Sequence, residues 1–403
     1  MIQNARALAA GILLAFLGSF GQTYFISIFA GEIRHTFDLS HGQWGGIYTL
    51  GTAASAIAMI WAGEWTDRLR ARAIGAITLV FLALSCLAMA LTPSAWVLPV
   101  VVFALRLAGQ GMSVHVALVA MGRWFQASRG KAISVATLGG NAGEALLPLL
   151  FVALLAQTDW RVLWVVAACL ALLGVPVLFT LLTREQPPES WTTTDESVGM
   201  QGLHWSRNQA FRHWLFWFIF PALIGPAAFT TAFFFHQVHF AAIKGWPHVD
   251  LVALFPGYMA VMIASMAIAG WLLDKIGTAR LMPWIQLPMI VAFTLFAHGE
   301  SLMIALIGLS FLALTSGANA VIPNAFWAEF YGTRNLGSIK AMATAVMVLG
   351  TALGPGLSGL LIDLGRGLEA QYQIAAGYFL VTTALMRIGI GRALKGACPT
   401  TAP

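Results

Sequence analysis

The sequence predicts an all-α membrane protein with twelve transmembrane helices, arranged as two pseudo-symmetric six-helix bundles. Three observations predict this class: an apolar composition, long segments without charge, and a charged loop motif that occurs once in each half. Of the 403 residues, 59% are hydrophobic and only 9% are charged, and the mean hydropathy is +0.80. Because soluble domains carry about 25% charged residues, a soluble core does not account for this composition.

The apolar segments run for about 20 residues or more, which is the length a helix needs to cross about 30 Å of hydrocarbon. They lack the period-2 alternation of strands and are too long for them. The predicted spans are 7–30, 43–63, 73–92, 95–120, 131–156, 160–182, 213–238, 250–273, 281–298, 301–324, 336–361 and 371–393.

One long polar stretch divides these spans six and six. It predicts a domain of residues 1–182, a linker of residues 183–212 and a domain of residues 213–403. Of the 22 Lys and Arg, 17 fall on the side that holds the linker and both termini, and four fall on the other side. The positive-inside rule therefore predicts cytoplasmic termini, and the short loops suggest a bacterial inner (plasma) membrane. The net charge of +6 needs no nucleic-acid partner to explain it.

The charged loop motif lies between spans 2 and 3. It reads Gly63-Glu-Trp-Thr-Asp67-Arg68-Leu-Arg70-Ala-Arg72. A second copy begins 207 residues later, between spans 8 and 9, and contains Gly270, Asp274, Lys275, Gly277 and Arg280. The equal offset of the Gly, the Asp and the following basic residue indicates a duplicated chain. Matching features in two halves are typical of alternating-access transporters.

Twelve spans, a six-plus-six division and a Gly-x-x-x-Asp-Arg loop after span 2 together resemble the major facilitator superfamily. The resemblance implies the major facilitator fold and secondary active transport. It also implies that the loop residues form a cytoplasmic gate, which would stabilise the outward-open state. The gating candidates are Gly63, Asp67, Arg68, Arg72, Gly270, Asp274 and Lys275. Arg70 departs from the family pattern, which has Gly at that position.

Two further stretches bear on the subfamily. Arg123-Trp-Phe125 followed by Arg129-Gly-Lys131 is similar to the loop after span 4 in monocarboxylate and oxalate–formate type carriers, which implies a small carboxylate. Span 5 has Gly143-Glu144 where antiporters have a glycine-proline motif, so the antiporter activity is not carried over.

Arg106 and Glu144 are the strongest candidates for function, because they are the basic and the acidic residue placed deep inside predicted spans. A charge at the bilayer centre costs at least about 2.5 kcal/mol, so it needs a partner or an aqueous cavity. At about 1.5 Å per helical residue, their depths differ by roughly 7 Å. Three alternatives stay open: Arg106 binds a substrate carboxylate while Glu144 takes a coupling proton, the two form a structural or state-dependent ion pair, or they act separately.

Other polar residues are candidates for substrate binding or proton coupling. Gln110 follows Arg106 by one turn, and Arg106-x-x-x-Gln110-Gly111 resembles the Arg-Gln-Gly motif of the family's span 4 with one extra residue. His236 and His239 share a face near the outer end of span 7; they fit substrate binding, titration or interfacial packing better than a metal site. The remaining candidates are Gln22, Tyr24, Asn141 and Asn319.

The sequence therefore predicts a secondary transporter, expected to be proton-coupled and to carry a small organic anion such as a monocarboxylate. Efflux of drugs or apolar metabolites is the alternative, and a transport-silent membrane sensor is the hypothesis from another class. The sequence contains no phosphate-binding loop motif and no evident nucleophile–base set, so neither ATP-driven transport nor an enzyme is predicted. No cofactor is implied, and a monomer is the default expectation.

Overall fold

The computed structural model describes residues 5–125, 129–183 and 198–397, and every regular element in these ranges is helical. Within these ranges, eleven helices are long and apolar enough to cross a membrane. A twelfth span is formed if the bent pair Ala5–Gly21 and Thr23–Phe37 counts as one crossing. The predicted all-α class with twelve spans is confirmed.

The helices are numbered in chain order. The first half contains α1 (Ala5–Leu17), α2 (Thr23–Ile26), α3 (Ala30–Phe37), α4 (His41–Ala62), α5 (Trp65–Arg68), α6 (Ala71–Ala90), α7 (Leu98–Leu105), α8 (Val114–Trp124), α9 (Arg129–Leu155) and α10 (Trp160–Leu181). The second half contains α11 (Arg207–Arg212), α12 (Trp214–Phe235), α13 (Gln237–Ile243), α14 (His248–Val252), α15 (Phe255–Ile276), α16 (Thr278–Leu281), α17 (Leu287–His298), α18 (Leu302–Tyr331), α19 (Leu336–Asp363) and α20 (Leu368–Ala397).

Span 1 is broken, although the sequence predicts one helix over residues 7–30. α1 passes into a 3-10 turn at Gly18–Gly21, and Gln22 has an extended backbone (φ −86°, ψ 155°) before α2 begins. The two parts meet at an angle of 46°. Glycine favours such a break because it is about 1 kcal/mol less favourable than Ala inside a helix.

Span 4 also departs from a regular α-helix. Between α7 and α8, residues Arg106–Ser113 form a π-helical segment, whose wider turn takes one more residue than an α turn. The Ser113 hydroxyl donates to the carbonyl of Ala108 at 2.8 Å, five residues back. The segment accounts for the extra residue in Arg106-x-x-x-Gln110-Gly111.

Span 7 ends earlier than predicted. α12 ends at Phe235, His236 leaves the helical conformation (φ −96°, ψ 17°), and α13 begins at Gln237. Of the two histidines that were expected on one helix face, His236 therefore lies at the break and His239 lies in α13.

Packing separates the described residues into two compact units. Unit 1 contains residues 5–125 and 129–183 together with Ala232–Pro256 and Pro355–Leu364. Unit 2 contains the other described residues. The boundaries at residues 182 and 213 stay a prediction.

An aromatic cluster fills part of unit 1. The ring of Phe25 meets those of Phe20, Phe151 and Trp164 edge to face, with centroids 5.0, 4.8 and 5.3 Å away. All four side chains are fully buried. This cluster packs the broken part of span 1 against α9 and α10. Edge-to-face ring pairs add about 0.5–1.5 kcal/mol to the free energy gained from apolar burial.

Unit 2 combines aromatic packing with a buried amide. Phe293 stacks on Phe379 with ring centroids 5.7 Å apart. The buried Gln286 donates to the carbonyl of Ala222 and accepts from the Thr382 hydroxyl at 2.6 Å. Such hydrogen bonds connect transmembrane helices where water is absent.

The two glycines in the middle of α9 give a test of this packing. A Cβ at Gly139 would collide with the carbonyl of Ile12 in α1, whereas a Cβ at Gly140 would meet only Ala15 O, at 3.9 Å. Gly139→Ala is expected to lower the free energy of unfolding by about 1–3 kcal/mol, because backbone cannot move aside as a side chain can.

Gly140→Ala is the matched control and is expected to be neutral or stabilising by up to about 1 kcal/mol, since Ala is the better helix former. Thermal unfolding of the purified variants in detergent measures both. Equal midpoints for the two variants would contradict the close approach of α1 and α9.

Candidate functional site

Arg106 is the first residue of the π-helical segment, and its side chain is only 1% exposed. Its Nη1 donates to the carbonyl of Gly21 at 3.2 Å and to the hydroxyl of Thr23 at 3.3 Å. Both partners flank Gln22, where span 1 is broken. The break therefore makes available the Gly21 carbonyl, which a continuous helix would keep within its own hydrogen-bond ladder.

Tyr48 completes this set of contacts from α4. The Arg106 guanidinium lies over its ring, 5.3 Å from the centroid. The Tyr48 hydroxyl is hydrogen-bonded to that of Thr23. A desolvated cation–π contact of this kind contributes about 2 kcal/mol, so three elements together orient the guanidinium.

Two glycines bring these elements together. A Cβ at Gly109 would lie 2.5 Å from the Cα of Gly21 and 2.7 Å from the carbonyl oxygen of Gly18. The π-helical segment and the break in span 1 therefore touch backbone to backbone. This contact brings the Gly21 carbonyl within reach of Arg106.

Part of the guanidinium has no protein partner. Nε and Nη2 of Arg106 are buried and make no hydrogen bond with any described residue. No described carboxylate forms an ion pair with Arg106, so the expected alternative of an Arg106–Glu144 ion pair does not occur in this structure. Nε and Nη2 form one edge of the guanidinium, with parallel N–H bonds that match a carboxylate.

Glu144 lies in α9, partly exposed, near the same break in span 1. Its neighbour Gly143 is so close to Ser19 that an added Cβ would collide with the hydroxyl. Glu144 is also within electrostatic range of the buried Tyr24. The structure thus brings Arg106 and Glu144 to the same broken segment without pairing them.

The polar candidates with amide side chains are partly exposed. Gln22 forms the break itself and is partly exposed. Gln110, in the π-helical segment, and Asn141, one turn before Glu144, are also partly exposed. Asn319 lies in α18 of unit 2 and is partly exposed.

The two predicted histidines lie elsewhere in unit 1, beside a cavity of about 120 Å³. They are joined there by His41, whose ring centroid is 4.2 Å from that of His239 and 6.0 Å from that of His236. His236 is buried, and its Nε2 lies 3.3 Å from the carbonyl of Pro355. Arg34 also lines the cavity.

Burial lowers the pKa of His239, and the charge of Arg34 lowers it further. His239 is therefore neutral at neutral pH. Within the described ranges, no group of three or more His, Cys, Asp or Glu side chains is arranged to hold a metal ion.

The first predicted gating loop contacts the end of span 4, where Arg123 donates a hydrogen bond to the carbonyl of Thr66. Arg68 forms an exposed ion pair with Glu64 of its own loop at 3.4 Å, and Arg72 lies over the Phe179 ring at 5.4 Å. The side chain of Asp67 lies outside the described residues. Gly63 is partly exposed.

In the second loop, Lys275 lies over the ring of Trp271, 3.9 Å from its centroid. Asp274 is exposed and Gly270 is partly exposed. The gating roles of both loops stay predictions.

Several residues of these sites were not among the candidates from the sequence. Thr23 accepts a hydrogen bond from Arg106, and the ring of Tyr48 lies under its guanidinium. Arg34 and His41 line the same cavity as His236 and His239. A hydroxyl in an apolar helix usually bonds to its own backbone, so only the fold distinguishes Thr23. The sequence predicts that span 1 ends at residue 30, which leaves Arg34 in a loop. In the structure the second part of the bent span continues to Phe37 and includes Arg34.

Comparisons with known proteins agree with this architecture. The sequence matches the family model described as Major Facilitator Superfamily over residues 11–355. A bacterial homologue of the human lysosomal transporter Spinster, solved in an inward-facing and unoccupied conformation, is 17% identical with a TM-score of 0.73, covering 99% of each chain. The nucleoside transporter NupG is 18% identical with a TM-score of 0.69, covering 98% of this chain and 100% of its own. No curated protein sequence gave a match. At these identities the solved structures show a common fold.

A double-mutant cycle tests whether Arg106 and Glu144 act as a pair. Arg106→Gln and Glu144→Gln are expected to change the free energy of unfolding additively, within about 0.5 kcal/mol, because groups that share no partner do not couple. Arg106→Gln with Thr23→Val is the matched cycle and is expected to show a coupling of about 0.5–3 kcal/mol. A coupling above about 1 kcal/mol in the first cycle, measured by unfolding in detergent, would indicate an ion pair.

Proposed function

Because the chain belongs to the major facilitator superfamily, we propose that it is a secondary active transporter for a small organic anion, such as a monocarboxylate. Transport proceeds by alternating access, in which a site near the middle of the membrane opens to each side in turn. The observation that carries this proposal is the free Nε–Nη2 edge of the buried Arg106.

The geometry of Arg106 favours a carboxylate over other ligands. Nη1 is occupied by Gly21 and Thr23, so the guanidinium is oriented and only one edge remains available. That edge presents two parallel N–H donors, which a carboxylate accepts with both oxygens. A ligand there also supplies the negative charge that a buried guanidinium lacks, and charge-assisted hydrogen bonds contribute about 1.5–3 kcal/mol each.

Glu144 is the proposed site of the coupling proton. Carboxyl groups in membrane-spanning helices commonly serve proton relays in transporters. Glu144 approaches the break in span 1 from α9, near Tyr24, while Arg106 approaches it from the π-helical segment. An anion on Arg106 and a proton on Glu144 would together cross the membrane without net charge, which describes a symporter.

The remaining expectations follow from this mechanism. Gln22, Gln110 and Asn141 supply polar contacts at the same site, and Asn319 is proposed as a polar contact for substrate within unit 2. His236 and His239 take part in substrate binding or proton coupling nearer the outer side. The Asp and Arg loops close the cytoplasmic side, both termini are cytoplasmic, and the protein functions as a monomer in a bacterial inner membrane.

Uptake of radiolabelled carboxylates into proteoliposomes under an imposed pH gradient tests the proposal. Arg106→Ala is expected to lower uptake by about 10- to 100-fold, which corresponds to the loss of about 1.4–2.8 kcal/mol of binding. Arg106→Lys is the matched control for charge, and it is expected to restore only part of the uptake because an ammonium cannot form the bidentate contact.

Glu144→Gln is expected to keep carboxylate exchange but to lose the response to the pH gradient. Glu300→Gln, an exposed residue of the loop after α17, is its matched control and should behave as wild type. Full carboxylate uptake by Arg106→Ala would contradict the assigned anchor. Uptake or efflux of uncharged apolar compounds alone, by folded wild type, would favour the alternative of drug or metabolite efflux.

A further inference from the structure

Asp363, the last residue of α19, makes three hydrogen bonds to the start of α4. Its Oδ2 accepts from the Ser40 hydroxyl at 2.6 Å and from the backbone N–H of Gly42 at 2.8 Å. Its Oδ1 accepts from the backbone N–H of His41 at 3.2 Å. All these residues belong to unit 1, and they are 321 to 323 positions apart in the sequence.

These bonds complete the N-terminus of α4. The first N–H groups of a helix have no partner inside it. Ser40 caps the helix in a reciprocal box with Gln43, which satisfies the N–H of Gln43 and of Ser40 itself. Asp363 takes the next two donors, from His41 and Gly42. A carboxylate at this position is also attracted by the helix dipole.

The helices that Asp363 joins approach each other closely at several glycines. A Cβ at Gly45 would lie 2.6 Å from the carbonyl oxygen of Pro355 and 3.0 Å from the Cα of Gly356. A Cβ at Gly359 would lie 2.8 Å from the carbonyl carbon of His41. Glycine has no side chain to interlock at these positions, and the hydrogen bonds of Asp363 add a specific polar attachment at the end of α19.

We propose that Asp363 is a latch that holds this end of α19 on the N-terminus of α4 and releases it once in every transport cycle. The proposal rests on the proposed function, because alternating access requires such contacts to form and break. In the orientation predicted from the loop charges, this end of the helices lies outside. Release therefore opens the outer side, and the rate of release limits how often that side is open.

A cysteine behind the latch reports its opening without any transport substrate. Thr49 faces α19, since a Cβ at Gly356 would collide with its hydroxyl. The experiment uses Thr49→Cys in full-length protein whose own Cys86, Cys169 and Cys398 are replaced by Ala. The probe is a neutral, membrane-impermeant polyethylene-glycol maleimide added outside intact cells, and labelling is followed by the shift on a gel.

Asp363→Asn is expected to raise the labelling rate about 3- to 10-fold, which corresponds to about 0.7–1.4 kcal/mol. Asp38→Asn is the matched control, because Asp38 is exposed at the end of α3 and has no hydrogen bond in the described structure through its side chain. It removes the same charge from the same end of the molecule and should leave the rate unchanged.

The salt dependence of Thr49→Cys labelling tests the latch with Asp363 left unchanged. The contact is exposed, so salt screens the attraction between the carboxylate and the helix terminus. Raising the salt concentration to about 1 M, where the screening length is about 3 Å, should raise labelling when Asp363 is present and leave the Asp363→Asn rate unchanged.

Equal labelling of Asp363→Asn and Asp38→Asn would overturn the latch, as would a rate without salt dependence when Asp363 is present. The test does not use a substrate, so it separates the two proposals. Faster labelling of Asp363→Asn combined with no carboxylate uptake would support the latch and reject the proposed substrate class.

Discussion

The first half of this protein depends on a buried guanidinium that a broken helix accommodates. Removing an arginine from water costs several kcal/mol unless its N–H groups are bonded. Arg106 obtains its bonds from Gly21 and Thr23, on either side of the break at Gln22, and it lies over the ring of Tyr48. If span 1 were continuous, the Gly21 carbonyl would accept within its own helix and the charge would lose that partner.

The same arrangement connects structure with function. Nη1 is used to hold the guanidinium, and the Nε–Nη2 edge has no partner among the described residues. A fully paired arginine would serve only the fold, and an arginine without any bond would not be positioned. The division between one bonded and one free edge therefore suits a binding site, which must be oriented before its ligand arrives.

Close backbone contacts recur where function requires precision or movement. Gly21 and Gly109 bring the break against the π-helical segment, and this contact fixes the position of Arg106. Gly45 and Gly359 let α4 and α19 touch in the same way near Asp363. In the first case the buried rings of Phe20 and Phe25 pack edge to face on either side of the break in the sequence. In the second case exposed hydrogen bonds hold it, which favours a contact that opens.

Composition and local pattern were sufficient to predict the helical membrane class, because a helix must satisfy its own backbone in lipid. Arg106 and Glu144 could be identified from the sequence because charges inside apolar segments are rare. Their surroundings could not be predicted. The partners of Arg106 are 83 and 85 residues away in the sequence, and Gly21, next to the break, packs against Leu105 and Gly109. The sequence around Asp363 shows only the end of a helix, and its hydrogen bonds to the start of α4 become evident only in the structure.

The central claim is that Arg106 binds a negatively charged ligand, and equilibrium binding to the purified protein in lipid nanodiscs tests it most directly. Calorimetric titrations would compare acetate, pyruvate and oxalate with their amides, which have nearly the same shape and no charge. At least one carboxylate is expected to bind 10-fold or more tightly than its amide, a difference of about 1.4 kcal/mol, and Arg106→Gln should abolish that preference. Equal binding of acids and amides, or a preference that persists in Arg106→Gln, would contradict the account.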